Sequence, residues 1–220
     1  AHTYPLAEYT RFHQTSGTTG ASLVWLDTPE SWSWVLENWR AVYAAAGVGQ
    51  GDTVVFTFSF GPFLGFWSAF EAGLGLGCRC LPGGGMSTLA RLRMIQAHGA
   101  TIVCCTPTYA LRLIETAEAE GIDLSATQVR RIIVAGEPGG SSPRLRERVQ
   151  TGWPGAVLFD HYGMTEAGPV THEDPERPGT MRVLEDRYLA EIVDPATQQP
   201  ADEGETGELV LTTLGRTACP

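Results

Sequence analysis

Hydrophobic and polar positions along this 220-residue chain alternate between two periods. Runs of β-branched, aromatic and small apolar residues recur at 22–26, 53–58, 78–81, 101–105, 131–135 and 156–159. Such runs, bounded by turn residues, predict strands. Between them apolar residues return at helical spacing. Trp32, Val35, Leu36, Trp39, Val42 and Tyr43 mark one helix, opened by Thr28 as N-cap with Pro29 at the first helical position and closed at Gly47. Leu89, Leu92, Ile95 and Gln96 mark another, capped by Ser87 and ending at His98-Gly99. A third runs from Thr106-Pro107 to Gly121, and a fourth from Ser142-Pro143 to about Thr151. The aromatic stripe of the first helix could form a ligand box, but its helical spacing favours a core face.

Strands alternating with helices predict an α/β fold: a mostly parallel sheet flanked by helices. Residues 1–12 carry no clear period and read as a lead-in. The aromatic, glycine-broken stretch 59–67 fits a loop entering a buried helix to about Leu74, and equally the wall of an apolar pocket. From about Gly179 the helical spacing stops. Runs at 188–193 and 208–212, separated by an acidic turn, predict the start of an antiparallel β segment. The expected division is therefore 1–178 for the α/β core and 179–220 for the β segment.

Composition narrows the chemistry. The hydrophobic content of 43% and charged content of 18% are those of a globular chain, and no apolar run approaches the roughly 20 residues of a membrane span. A net charge of −10 argues against a nucleic-acid or acidic-lipid surface. All 15 basic residues besides histidine are arginine. Without lysine there is no Walker-type phosphate loop and no Schiff base. Five cysteines, with no Cys-x-x-Cys, read as reduced residues of a cytoplasmic protein.

Two stretches carry candidate chemistry. Thr15-Ser16-Gly17-Thr18-Thr19-Gly20 combines hydroxyls with glycines whose backbone can approach a ligand closely. It reads as a phosphate-gripping loop or as a plain Ser/Thr/Gly turn. Far downstream, Asp160-His161-Tyr162-Gly163-Met164-Thr165-Glu166 follows a strand. Tyr162 offers a flat face for a purine, Gly163 a close approach, Thr165 a hydroxyl for phosphate, and Glu166 a hard oxygen for Mg²⁺. Ligands of such sheets lie beyond the strand C-termini, where Ser59-Phe60-Gly61, Thr106-Pro107-Thr108-Tyr109, Gly136-Glu137-Pro138 and His161-Tyr162-Gly163 fall. His172-Glu173-Asp174, in a Pro-rich loop, reads as solvated charge. His161 is expected to line the site, and the other histidines to be surface or packing residues.

In order along the chain, Thr15–Gly20, Ala135-Gly136-Glu137-Pro138, Tyr162–Glu166 and Gly207-Glu208-Leu209-Val210 resemble the motifs of adenylate-forming enzymes. Glu185-Asp186, residues 191–195 and 211–216 resemble the phenylacetate–CoA ligase branch. The resemblance implies activation of a carboxylic acid, aryl in the first instance, by ATP, and transfer to coenzyme A. Two variants stay open: transfer to an amine or a carrier-protein thiol, and a non-catalytic relative. Carried over by motif, Thr15 to Gly20 would hold phosphates. Gly136-Glu137-Pro138 and Asp160-His161-Tyr162 would frame the adenine, while Thr165 would meet the α-phosphate and Glu166 would bind Mg²⁺. The acid's body would lie among Phe60, Gly61, Phe66, Tyr109, Ala135, Gly163 and Met164. Partners would be a small carboxylic acid and, at most, a second copy of the chain. Ala21 stands where the family usually has lysine. A ribose-binding Arg-x-Arg-Thr-Gly-Asp segment and a small C-terminal domain with its lysine would be expected beyond residue 220.

Overall fold

Five short, mostly apolar strands form the centre of the molecule. The computed structural model describes residues 2–17 and 20–218; Ala1, Thr18, Thr19, Cys219 and Pro220 lie outside the described residues. β3 (Thr53–Phe56), β4 (Arg79–Pro82), β5 (Ile102–Cys105), β6 (Arg131–Val134) and β7 (Val157–Asp160) pair in parallel in the order β4-β3-β5-β6-β7. Pro82 lies on the edge strand β4, where a missing N–H costs no ladder bond.

Side chains alternate across this sheet with period two. Val54, Phe56, Ile102, Cys104, Ile133 and Phe159 face α1 (Pro29–Ala45) and α2 (Leu64–Gly75). Val55, Val103, Cys105, Ile132, Val134 and Leu158 face the opposite core. That core is closed by α3 (Thr88–Ala97), α4 (Pro107–Glu120) and α5 (Pro143–Gly152). The helices start where the sequence places their caps. Thr28, Ser87 and Thr106 each accept a hydrogen bond from the backbone N–H three residues on. Ser142 makes no such bond, and Pro143 alone sets the start of α5. Gly121 closes α4 in the left-handed conformation, φ +65°.

The remaining strands are antiparallel. β1 (Arg11–Gln14) pairs with β2 (Val24–Asp27), so the lead-in expected through residue 12 ends in a strand. β8 (Gly163–Met164) pairs with β9 (Gly168–Pro169), β10 (Thr171–Asp174) with β11 (Arg177–Val183), and β12 (Tyr188–Val193) with β13 (Glu208–Thr213). After the parallel sheet, antiparallel pairing resumes at Gly163, and β11 runs through positions 178 and 179. Tyr188, fully buried, ties β12 to α1: Asn38 Nδ2 donates to its hydroxyl at 3.0 Å, and that hydroxyl donates to the carbonyls of Ala167 and Pro169.

His172-Glu173-Asp174 forms β10 and is not solvated charge. Glu173 and Asp174 are buried. Glu173 pairs with Arg146 and accepts from the N–H groups of Asp160 and Gly179; Asp174 pairs with Arg177 and Arg182. Arginines of α5 and β11, outside the local run, compensate the buried carboxylates. Among the described residues, no helix is long and apolar enough to cross a membrane.

Candidate active site

A crevice lies beyond the C-terminal ends of β3, β5 and β6, on the side covered by α1 and α2. From β3 the chain goes to one neighbour, β4, and then crosses to the other, β5; this reversal is where open α/β sheets leave room for ligands. A cavity of about 370 Å³ lies there. Its polar rim brings together Ser16 of the glycine loop, Thr106, Gly136 after β6, and Thr165 in the β8–β9 turn. Its apolar wall comes from Trp39 of α1, Phe58, Phe63, Leu64, Phe66 and Ala69 around α2, and Cys104 and Ile133 of the sheet. The stretch after β3 is therefore both helix entry and pocket wall.

The glycine loop lies between β1 and β2, and Thr15 ties its start to Leu23. Thr15 N–H donates to the Leu23 carbonyl, and Thr15 Oγ1 accepts from Leu23 N–H at 2.9 Å. Gly17 has φ +68°, and a Cβ there would sit 2.6 Å from Ser22 Oγ, so this position favours glycine. The expected hydroxyls of Thr18 and Thr19 lie outside the described residues.

Other expected residues divide between the cavity and its supports. Phe66, Ala135, Gly136, His161, Gly163, Met164 and Thr165 line it. Glu137 turns away and accepts from Thr108 N–H at 2.7 Å, joining the end of β6 to the first turn of α4. Burial raises its carboxyl, but the Thr108 and Thr106 hydrogen bonds outweigh this and hold it below the ordinary value. Pro138 lies in an outer groove between α4 and α5. Asp160 accepts from Ser141 at 2.8 Å; burial raises its carboxyl, with the neighbouring Glu173 charge adding to the effect. A Cβ on Gly140 would lie 2.2 Å from the Asp160 carboxyl carbon, so glycine leaves the room this side chain occupies. Tyr162 is exposed, its ring open to a flat ligand.

Three residues expected in the acid pocket lie outside its wall. Phe60 packs among Phe56, Phe58, Trp67 and Phe70, and Gly61 receives the Trp67 indole N–H on its carbonyl. The Tyr109 hydroxyl accepts from Arg91 and donates to Thr88, on the α3–α4 side. The sheet separates these groups from the cavity, or the aromatic cluster absorbs them.

Ala69, Cys104 and Ile133 enter the wall without having been singled out as ligand contacts, and Trp39 of the aromatic stripe lines it as well as packing in the core. Their signal was present as buried strand and helix periodicity, but periodicity alone does not say which part of a core face stays open. Burial pushes the Cys104 thiol well above its usual value, so it lines the cavity as a small apolar group. His161 is buried against Trp39, and burial lowers its imidazole to about 4, against a partial opposing effect of the Tyr162 backbone. It is neutral at physiological pH.

Glu166 is half-buried next to Thr165, and its carboxylate makes no hydrogen bond or ion pair among the described residues. A free carboxylate oxygen there suits a hard cation whose other ligands are phosphate oxygens and water. Among the described residues, no cluster of three or more His, Cys, Asp or Glu could hold a metal on its own.

Comparison with known proteins agrees with this geometry. The family model described as AMP-binding enzyme matches residues 13–216. Phenylacetate-coenzyme A ligase of Pseudomonas putida is 33% identical over 222 residues, covering 98% of this chain and 49% of that protein. The enzyme of the same name from Aromatoleum evansii is 32% identical, with the same coverage. The chain spans about half the length of the curated relatives it matches. An open conformation of 2-hydroxyisobutyryl-CoA ligase, solved with 2-HIB-AMP and CoA, superposes with a TM-score of 0.90 at 23% identity. That match covers 98% of this chain and 50% of the other, and shows the shared fold.

Proposed function

Since the chain belongs to the AMP-binding enzyme family, we propose that it forms the acid- and nucleotide-binding part of an ATP-dependent acid–CoA ligase. The observation that carries this reading is the cavity itself. Ser16, Gly136 and Thr165, far apart in sequence, meet on one polar rim above a pocket of aromatic and aliphatic side chains. A molecule with an anionic end and an apolar body fits that division, and an aryl acid is such a molecule.

In the first half-reaction a carboxylate oxygen bonds to the α-phosphorus of ATP, and the bond to the pyrophosphate oxygen breaks. In the second, the coenzyme A thiol, giving up its proton, bonds to the acyl carbon and AMP leaves. Each residue has a defined task here. Residues 15–20 hold the β- and γ-phosphates through amides and hydroxyls, and Thr165 hydrogen-bonds the α-phosphate. Gly136 and Tyr162 border the adenine, with Glu137 and Asp160 anchoring the segments that carry them. Glu166 would hold Mg²⁺, which supplies charge neutralisation at the phosphates. Phe66, Ala135, Gly163 and Met164, with Trp39 and Ile133, enclose the acid's body and exclude water. The carboxylate is already ionised at neutral pH, so the first step needs no general base, in keeping with a neutral His161.

Pyrophosphate exchange into ATP, measured on full-length protein with a panel of aryl and aliphatic acids, tests the reading. Exchange dependent on one class of acid is expected. Measurable ATP binding without exchange for any acid would overturn it in favour of a non-catalytic nucleotide-binding protein.

A further inference from the structure

Arg216 follows β13 and has no site role in the motif reading, yet it is buried to 4% exposure. Its Nε and Nη2 donate to the two carboxylate oxygens of Asp27 at 2.8 and 2.7 Å. Its Nη1 donates to the carbonyl of Thr165 at 2.5 Å, and its guanidinium lies 5.3 Å from the centroid of the Trp25 ring. Asp27, fully buried, closes β2, the strand that leaves the glycine loop. Thr165 is on the cavity rim. One planar fork thus joins Thr165, which lines the cavity, to the far end of the β1–β2 hairpin, whose other end leads to Ser16 in the same lining. Only arginine offers three donors in this fixed arrangement.

A buried ion pair is weak support for stability, because desolvating two charges offsets most of their attraction. Its defined use is to fix the relative placement of the parts it joins. We propose that Arg216 is a positioning residue for adenylate formation. Through Asp27 and the Thr165 carbonyl it holds the β1–β2 hairpin, which leads to Ser16 at its other end, and the Thr165–Glu166 turn at the separation needed to grip one polyphosphate chain. This rests on the ligase reading above. The clamp matters while pyrophosphate is still attached, and less once the acyl-adenylate has formed.

The test compares the two half-reactions in full-length protein carrying Arg216→Lys. Lysine keeps the positive charge but cannot reach both Asp27 oxygens and the Thr165 carbonyl together. Pyrophosphate exchange is expected to lose at least about 10-fold in kcat, since small misplacement of reacting groups is costly. The KM for the acid should stay within about two-fold of wild type, as should thioester formation from supplied acyl-adenylate and coenzyme A. Unchanged exchange in the folded variant overturns the proposal, and so does an equal loss in both half-reactions, which marks a merely structural role. Should R216K fail to fold, Asp27→Asn reads the same clamp from its other end with the same two outcomes. Wild-type protein that shows no exchange with any acid would instead count against the ligase reading, which keeps the two failures apart.

Discussion

The imidazole of His161 packs edge-on against the indole of Trp39, with ring centroids 4.4 Å apart. Neither imidazole nitrogen has a hydrogen-bond partner among the described residues, while the Trp39 indole N–H donates to Ser68 Oγ at 2.7 Å. The histidine is held in its neutral form by an apolar site, and a proton on it has to be accommodated without a counter-charge.

That arrangement makes stability depend on pH. The folded-state value of about 4 lies below the ordinary 6.5, so between these limits the unfolded chain binds more protons at this position. Stability therefore falls as pH drops from about 6.5 towards 4, by at most about 3 kcal/mol from this group. Thermal melts of wild type and His161→Phe across this window check it. The variant should lose the His161 share of the slope, and parallel curves would refute the assignment. Asp27 acts at lower pH: burial would raise its carboxyl, but His13 at 3.9 Å and the Arg216 fork hold it below 3.8.

Glu166→Gln keeps size and removes charge. Pyrophosphate exchange is expected to fall by about 100-fold or more, with a raised Mg²⁺ requirement, as when one group stabilising transition-state charge is removed. Exchange titrated against Mg²⁺ measures both. An unaltered Mg²⁺ dependence would remove Glu166 from the metal site.

Gly163 sits where β8 meets β9. A Cβ there would be 2.8 Å from the Gly168 carbonyl oxygen and 3.0 Å from Pro169 Cα, both backbone atoms. Gly163→Ala should destabilise the fold by about 1–3 kcal/mol and move the rim carrying Thr165. Urea unfolding gives the first quantity, and the KM for ATP reports the second.

Ala69 offers a cleaner probe of the acid pocket. It lines the cavity from α2 at 1% exposure, away from the rim. Ala69→Ile should raise the KM of a bulky aryl acid about 10-fold while leaving that of ATP unchanged, a difference on the scale of one or two methylene groups. Equal effects on both substrates would show that the pocket does not divide as described.

Much of the fold is legible in short stretches. Thr28, Ser87 and Thr106 announce three helices because a cap needs only its own side chain and an N–H three residues away. The β5 run Ile102–Cys105, apolar at every position, indicates a strand covered on both faces, as it is in a parallel sheet. β8 and β9, two residues each, carry no readable period, and β10 hides under the charged string His172-Glu173-Asp174. Such strands exist because a distant segment supplies the pairing.

The candidate site divides in the same way. Ser16, Gly136 and Thr165 were recognisable because glycine and hydroxyl residues after strands already imply a backbone open to a ligand. Phe60 and Tyr109 look like pocket residues by type and place, but the aromatic cluster claims one and Arg91 the other. Which side chains of a uniformly apolar face stay uncovered depends on how α1 and α2 seat on the sheet.

The sequence alone therefore determined the alternation of strands and helices, the caps and the glycine-rich segments that border the cavity. Each of these depends on interactions within a few residues. Tertiary structure alone decided that Trp39, Ala69 and Ile133 line the cavity, that Glu173 is buried against Arg146, and that Arg216 reaches Asp27 across 189 positions. Those outcomes depend on where chain segments remote in sequence meet, and on which charges find compensation once water is excluded.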